Sequence, residues 1–210
     1  MIAIIDYGVG NLFSLSSSLK YLGLETRITS QRAEVLTADK IILPGVGAFE
    51  DAVAKLRNSG LAEPVLERAA GGVPLLGICL GMQMLFERSY EYGMHDGLGL
   101  IKGEVASIEK DLPLRETGGK LQKLKVPHIG WNSLKIERPD PLFKYIKDGD
   151  FVYYVHSYYG RNCLENTIAS SIYDIRITGV VKSGNVYGTQ FHPEKSGRVG
   201  LGILQAFAEL

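Results

Sequence analysis

Gly77-Ile78-Cys79-Leu80-Gly81-Met82-Gln83 closes the apolar run Pro74–Ile78 and opens a helical stretch over Leu80–Phe86. A run of buried type that passes straight into a helix is half of a strand–helix unit. Glycines stand two residues before and two after the single cysteine. A side chain at either position crowds so tight a turn. This is the pattern of a nucleophile elbow, with sulfur in place of oxygen.

Working outward, the same alternation recurs on the N-terminal side. Ile2–Ile5, Thr26–Ile28 and Lys40–Leu43 read as strands, and Asn11–Leu22, Phe49–Leu56 and Leu61–Ala69 as helices. Leu12, Leu15, Leu19 and Leu22 keep a helical spacing. Strands alternating with helices imply a mostly parallel central sheet with helices on both faces, an α/β fold. On the C-terminal side the character changes. Glu104–Ile108, Ser133–Ile136, Phe151–His156, Ile168–Tyr173, Gly179–Lys182 and Val186–Phe191 are strand-like, with few helices between them. Ser183-Gly184-Asn185 reads as a hairpin turn, and Val199–Leu210 as a closing helix. The polar stretch Glu109–Lys123 reads as a mobile loop. The whole reads as one α/β domain, residues 1–210, with an antiparallel C-terminal extension.

Composition narrows the function classes. The chain has 210 residues, 45% of them apolar, and its 23 Lys+Arg balance 23 Asp+Glu. A chain of this length buries enough apolar surface to need no disulfide or metal staple. The balanced charge argues against a nucleic-acid binder, and the apolar fraction against disorder. The two cysteines are too few for a disulfide framework. The opening Met-Ile-Ala-Ile-Ile-Asp carries no basic leader, and Val73–Phe86 is too short and too interrupted to span a membrane. A cytoplasmic protein with two free thiols is expected.

A thiol nucleophile needs a base. Of His95, His128, His156 and His192, the last stands out, because it ends a strand-like run and is followed by Pro193-Glu194. Residues two apart in an extended segment face the same way, so Glu194 can orient the His192 imidazole as the third member of a triad does. Cys79 is then the nucleophile, and the backbone N–H of Leu80 points where an oxyanion would form. The loop Pro44-Gly45-Val46-Gly47 follows another strand and offers a second N–H, from Val46 or Gly47. Cys163 lacks such flanks and reads as part of a connection. Gly8-Val9-Gly10-Asn11 begins like a dinucleotide fingerprint, but Phe13 replaces its third glycine, so no nucleotide cofactor is expected. The histidines show no metal-ligand spacing, so no metal is expected.

Gly77–Gln83 together with Phe191-His-Pro-Glu194 resembles the class I, triad-type glutamine amidotransferases, whose fold is flavodoxin-like. Asp6-Tyr-Gly-Val-Gly-Asn11, Leu43-Pro-Gly-Val-Gly-Ala-Phe49, Pro127-His-Ile-Gly-Trp-Asn132 and His192-Pro-Glu-Lys-Ser196 resemble, more narrowly, the glutaminase subunits of imidazole glycerol phosphate synthases. The resemblance implies glutamine hydrolysis through a Cys79 thioester, with His192 as acid and base and Glu194 behind it. It implies an oxyanion hole from Leu80 and Val46 or Gly47, in a loop that rearranges a peptide before the hole is complete. Gly47, Gln83, Glu91, His156, Ser157 and Tyr158 match the family's glutamine pocket. Glu91, read as lying late in the helix that follows Cys79, suits the substrate's α-ammonium. The implied partner is a (β/α)8-barrel cyclase that receives the ammonia in histidine biosynthesis. Trp131 and Lys195 match interface positions, and Asn11 and Tyr153 positions near the active-site mouth. One departure is Gly197, where the family carries a polar residue. Glutaminase subunits of other pathways, or a silent binding subunit, are the competing readings, and the intact triad argues against the second.

Overall fold

The computed structural model describes residues 1–117 and 120–210. The N-terminal half runs β1 (Ile2–Ile5), α1 (Leu12–Tyr21), β2 (Thr26–Thr29), α2 (Arg32–Thr37), β3 (Lys40–Leu43), α3 (Phe49–Asn58), α4 (Ala62–Ala70), β4 (Leu75–Ile78) and α5 (Leu80–Met84). There follow β5 (Phe86–Ser89), β6 (His95–Asp96), β7 (Ile101–Ser107), α6 (Ile108–Asp111), β8 (Arg115–Thr117) and β9 (Lys120–Gln122). The rest comprises β10 (His128–Ser133), β11 (Lys135–Ile136), β12 (Phe151–His156), β13 (Tyr158–Arg161), β14 (Thr167–Tyr173), β15 (Ile175–Ser183), β16 (Val186–Thr189) and α7 (Gly197–Ala208).

The main sheet has the order β11-β14-β15-β16-β4-β3-β1-β2. From β2 to β16 its neighbours are parallel, and beyond β16 they are antiparallel. The parallel part therefore has the flavodoxin-like order, with β16 as fifth strand. Alternate residues explain the two cores. Ile2 and Ile4 of β1 pack with Leu15 and Leu19 of α1 and Ile203 and Phe207 of α7. Ala3 and Ile5 pack on the other face with Val35 of α2, Phe49 and Leu56 of α3, and Val65 of α4. Both faces of the sheet are covered, as its continuous apolar strands require.

A second sheet, β13-β7-β5-β6, and a separate antiparallel pair, β10–β12, whose long connection contains β11, stand outside the main sheet. The hairpin turn read at Ser183–Asn185 is present: Ser183 pairs with Val186, and Gly184 takes a φ of +58°. The helix after Cys79 is shorter than its spacing suggests. It ends at Met84, and β5 starts at Phe86. Met82, Met84, Leu85 and Phe86 are all fully buried, so a short apolar run could not distinguish helix from strand. Glu91 accordingly follows a strand, not a helix. The stretch read as a loop at Glu109–Lys123 contains the end of α6 and the pair β8–β9, while residues 118–119 of it lie outside the described residues.

Candidate active site

Cys79 sits where β4 meets α5, with φ +53° and ψ −110°. A non-glycine residue rarely adopts this backbone, and its strain aims the side chain off the end of the sheet. The flanking glycines are needed for the reason the sequence suggested. A Cβ on Gly77 would lie 2.7 Å from the Gly81 carbonyl, and one on Gly81 would collide with the carbonyl of Leu43. A Cβ on Gly45 would lie 2.6 Å from the Gly81 amide. Three glycines thus let the β3 loop, β4 and α5 close on one another, bringing Val46 and Gly47 beside the start of α5. The Cys79 amide is tied across the sheet to the Thr189 carbonyl at 2.7 Å. In α5 the Gln83 amide reaches back to the Cys79 carbonyl, so the amides before it have no partner within the helix.

The base comes from the neighbouring parallel strand. β16 pairs with β4, Thr189 opposite Ile78, so the chain leaves β16 beside Cys79. His192 then caps a 3-10 turn at Pro193–Lys195. Its Nδ1 lies 2.8 Å from Glu194 Oε1, and both side chains are almost wholly buried. Burial works against a charge on His192, but the adjoining Cys79 sulfur and Glu194 carboxylate outweigh it and raise the imidazole to about 9. The turn is lashed to β12: the His192 amide donates to the Tyr153 carbonyl at 3.0 Å, and the Tyr153 amide donates to Ser196 Oγ at 2.9 Å. Ser196 Oγ in turn donates to the His192 carbonyl at 2.7 Å. A Cβ on Gly200 would collide with the Pro193 carbonyl, so α7 packs directly under the turn.

A cleft of about 350 Å³ opens over this pair. Val46, Gly47, Cys79, Leu80, Gln83, Glu91, His156, Ser157, Tyr158, His192 and Lys195 all line it. Sequence reasoning selected every one of them; Pro127 and Val155, which also line it, were not singled out. Glu91 is 9% exposed and accepts from the Phe49 amide, at the start of α3, at 2.7 Å. Burial pushes its carboxyl above the usual range, while the Phe49 hydrogen bond and His95 pull the other way. Gln83 Nε2 donates to the Tyr158 carbonyl at 2.9 Å and to Gln190 Oε1 at 3.1 Å.

Other residues took a part that the motifs did not announce. Gln190 is fully buried, and its Nε2 points to Cys79 Sγ at 3.8 Å. Tyr7 donates to the Pro44 carbonyl at 2.7 Å and braces the β3 loop from below. Tyr7 lies in the quoted segment Asp6–Asn11, whose role there was not assigned; for Gln190, the spacing of two residues before His192 is the one available signal.

Of the four residues assigned by resemblance to the interface or mouth, Lys195 reaches the cleft. Trp131 is 55% exposed on β10, edge-on to Tyr153 of β12 across the pair. The ordinary fate of a lone tryptophan, burial in the core, is not the one observed. Asn11 caps α1 through the Ser14 amide and lines a small cavity behind His192 and Glu194. Gly197, the departure from the family pattern, has a φ of +56° and lies under the Trp131 ring. Cys163 is buried in a connection, beside the hydroxyls of Thr167 and Thr178, far from the role of Cys79. Among the described residues no three His, Cys, Asp or Glu side chains converge as metal ligands. No helix among them is long and apolar enough to cross a membrane.

Comparison with known proteins shows the family. Residues 3–208 match the family model of class-I glutamine amidotransferases. The chain is 48% identical over 210 residues to the imidazole glycerol phosphate synthase subunit HisH of Listeria monocytogenes, covering 100% of this chain and 96% of that one. It is 49% identical over 211 residues to the HisH subunit of a Geobacillus species, covering 100% and 97%. A solved glutamine amidotransferase superposes with a TM-score of 0.73 at 19% identity, each chain fully covered. PurLQS from Thermotoga maritima gives 0.73 at 20% identity, over 99% of this chain and 97% of that one, a likeness of fold. Matched along almost its whole length, the chain belongs to the class-I glutamine amidotransferases and, within them, to the HisH subunits of imidazole glycerol phosphate synthase.

Proposed function

We propose that this chain hydrolyses glutamine and delivers the ammonia to a (β/α)8-barrel cyclase subunit that makes imidazole glycerol phosphate and AICAR in histidine biosynthesis. The observation that carries it is Cys79 at its strained elbow, sharing one cleft with the 2.8 Å His192–Glu194 pair and with Glu91. Residues 1–210 act as one amidotransferase domain in the cytoplasm, with no metal or organic cofactor.

Glutamine enters with its α-ammonium toward Glu91 and its carboxamide over Cys79. Sulfur attacks the amide carbon, and the oxyanion is met by the Leu80 amide and by that of Val46 or Gly47. His192, charged and held by Glu194, gives its proton to the departing nitrogen. Ammonia leaves, and a γ-glutamyl thioester remains on Cys79. His192, now neutral, takes a proton from water as it attacks the thioester. Collapse expels the sulfur, glutamate is released, and His192 is again protonated.

Free ammonia is protonated in water near neutral pH and no longer nucleophilic, so it needs a sheltered exit. Val155 and Lys195 line the cleft and lie at the same end of the molecule as Trp131 and Tyr153. On β10–β12 the outward residues Ile129, Trp131, Tyr153 and Phe151 form an apolar face with aromatic anchors, the composition expected of an interface centre. The cyclase docks here, and Asn11, Tyr153 and Lys195 surround the passage.

The test is Cys79→Ala in the complex with the cyclase. Glutamine-dependent synthesis is abolished, while synthesis from added ammonium salts continues. Loss of both activities, or retention of both, overturns this division of labour.

A further inference from the structure

His128 and His156 are 3% and 6% exposed, and the reaction scheme uses neither ring. They sit opposite one another across the β10–β12 pair. The hydrogen bonds around them determine where each proton lies. His156 Nδ1 is 2.8 Å from the Tyr158 carbonyl. A carbonyl only accepts, so Nδ1 bears the hydrogen. In a neutral ring Nε2 is then bare, and it lies 3.0 Å from His128 Nδ1. His128 must therefore donate from Nδ1, which leaves its own Nε2 bare. That atom faces the Asn132 side-chain amide nitrogen at 3.3 Å.

The far end gives the same answer independently. Asn132 Nδ2 also donates to the Ile172 carbonyl at 3.0 Å, which settles the orientation of its amide. A carbonyl at one end and a pinned amide at the other thus demand one polarity for the whole chain. An added proton on either ring sets two N–H groups against each other. His128 is also stacked between Tyr154 at 4.7 Å and Tyr173 at 4.1 Å, so it cannot turn to relieve such a clash.

At its inner end the chain meets the cleft. The Tyr158 carbonyl accepts from His156 on one side and from Gln83 on the other, so both its lone pairs are engaged. Asn132 and His128 do not line the cleft, whereas His156, Ser157 and Tyr158 do. Asn132 lies next to exposed Trp131, so the chain runs from the surface of the β10–β12 pair to the cleft wall.

We propose that Asn132, His128 and His156 form a neutral, one-way hydrogen-bond strut, with both rings protonated on Nδ1, and that Asn132 and His128 are positioning residues that hold the Ser157–Tyr158 segment for glutamine. The positioning role rests on reading the cleft as the glutamine site; the proton arrangement does not. Asn132→Asp tests both, because a carboxylate can only accept and so calls for a hydrogen on His128 Nε2.

The experiment is nitrogen-15 NMR of the histidine rings at neutral pH, with glutamine kinetics of the same preparation in complex with the cyclase. In the wild type both rings show hydrogen on Nδ1 and a bare Nε2, opposite to the preference of free imidazole. In Asn132→Asp, His128 gains a hydrogen on Nε2, and the KM for glutamine rises about tenfold while kcat changes less than twofold. Asn132→Ala serves if the aspartate variant does not fold; its KM rises similarly with no new Nε2 hydrogen. A wild-type ring with its hydrogen on Nε2 overturns the strut. The expected NMR pattern with an unchanged KM in the variants overturns the positioning role. A wild-type complex that does not hydrolyse glutamine at all is a failure of the site reading instead, and is visible before any variant is made.

Discussion

Glu194→Gln isolates what the carboxylate does for His192. The two groups are 2.8 Å apart, and their side chains are 4% and 3% exposed, so solvent barely screens them. Against burial, which disfavours its charge, His192 stands at about 9 instead of 6.5. That net rise corresponds to about 3 kcal/mol in favour of the imidazolium, shared between Cys79 and Glu194. A hydrogen bond to a buried charged group contributes about 2–3 kcal/mol by comparison with mutational series. Glutamine at this position keeps the size and loses the charge, and its amide can also face His192 with N–H groups and impose the wrong tautomer. Glutaminase kcat/KM in the complex is therefore expected to fall about 30- to 150-fold, since each 1.4 kcal/mol is about tenfold. Ammonium-dependent synthesis stays unchanged. The stability of the chain carries a second signature. A histidine raised in the folded state contributes stability that is complete below about 6.5 and is lost as the pH rises through about 9. In Glu194→Gln the folded-state value falls, so this loss is smaller and is complete at lower pH. Steady-state kinetics and thermal melting between pH 6 and pH 10 read both effects, the range being set by roughly those two values. Glutaminase activity within threefold of wild type, with an unmoved alkaline limb of stability, refutes the reasoning.

Three further outcomes are expected. Glu91→Gln keeps an acceptor for the Phe49 amide, so the fold holds, but it loses the charge that pairs with the substrate's α-ammonium. The KM for glutamine rises about 10- to 100-fold with kcat little changed, as initial-rate kinetics will show. Trp131→Ala removes a side chain that is half exposed, so melting of the isolated chain is unchanged, whereas the dissociation constant for the cyclase, measured by calorimetry, rises about 30-fold or more. The buried pair His128 and His156 gives the chain an acid limb: burial lowers them to about 4 and about 3. Stability that is complete above about 6.5 falls with decreasing pH by up to about 1.4 kcal/mol per pH unit for each ring. Urea unfolding of His128→Gln shows a shallower limb.

The parallel part of the fold was legible because β1, β3 and β4 are almost wholly buried on both faces and the helices are not, so two periodicities alternate in the sequence from Ile2 to Ile78, with the edge strand β2 the weakest signal. The triad was legible for a different reason. Gly77 and Gly81 are demanded by close backbone approach, and Pro193 marks the second loop, although β16 already ends at Thr189 and His192 meets Glu194 across a 3-10 turn instead of along an extended strand. The region after Met84 was not legible. Leu80–Phe86 is apolar apart from Gly81 and Gln83, and the choice between helix and strand was made by β5 finding β7 and β6 as partners, a non-local event. Gln190, the partner of Tyr7 and the pairing of His128 with His156 were hidden for the same reason. Each is meaningful only through an atom far along the chain, as Tyr7 is through Pro44 and His128 through His156.

The division of labour within the fold has a mechanical consequence. Cys79 and His192 leave adjacent parallel strands whose register is set by Gly188 opposite Gly77 and Thr189 opposite Ile78. The main sheet thus brings the two chain segments side by side, and the turn after β16 carries His192 on to Cys79. The facing cleft wall comes from elsewhere, from β12, β13 and Glu91 in the loop after β5, outside that sheet. The β10–β12 pair is bound to both. Through the Tyr153 backbone it grips the His192–Ser196 turn, and through Asn132, His128 and His156 it reaches Tyr158. Its outward face, with Trp131 and Tyr153, is where the cyclase is proposed to dock. A load placed on that face thus has two routes inward, one to the base and one to the substrate wall. Each can be cut alone: Ser196→Ala removes the hydroxyl that receives the Tyr153 amide, and Asn132→Ala removes the outer end of the strut. If the cyclase acts through the base, Ser196→Ala reduces its stimulation of kcat and Asn132→Ala does not; if it acts through the wall, the pattern in KM is the reverse.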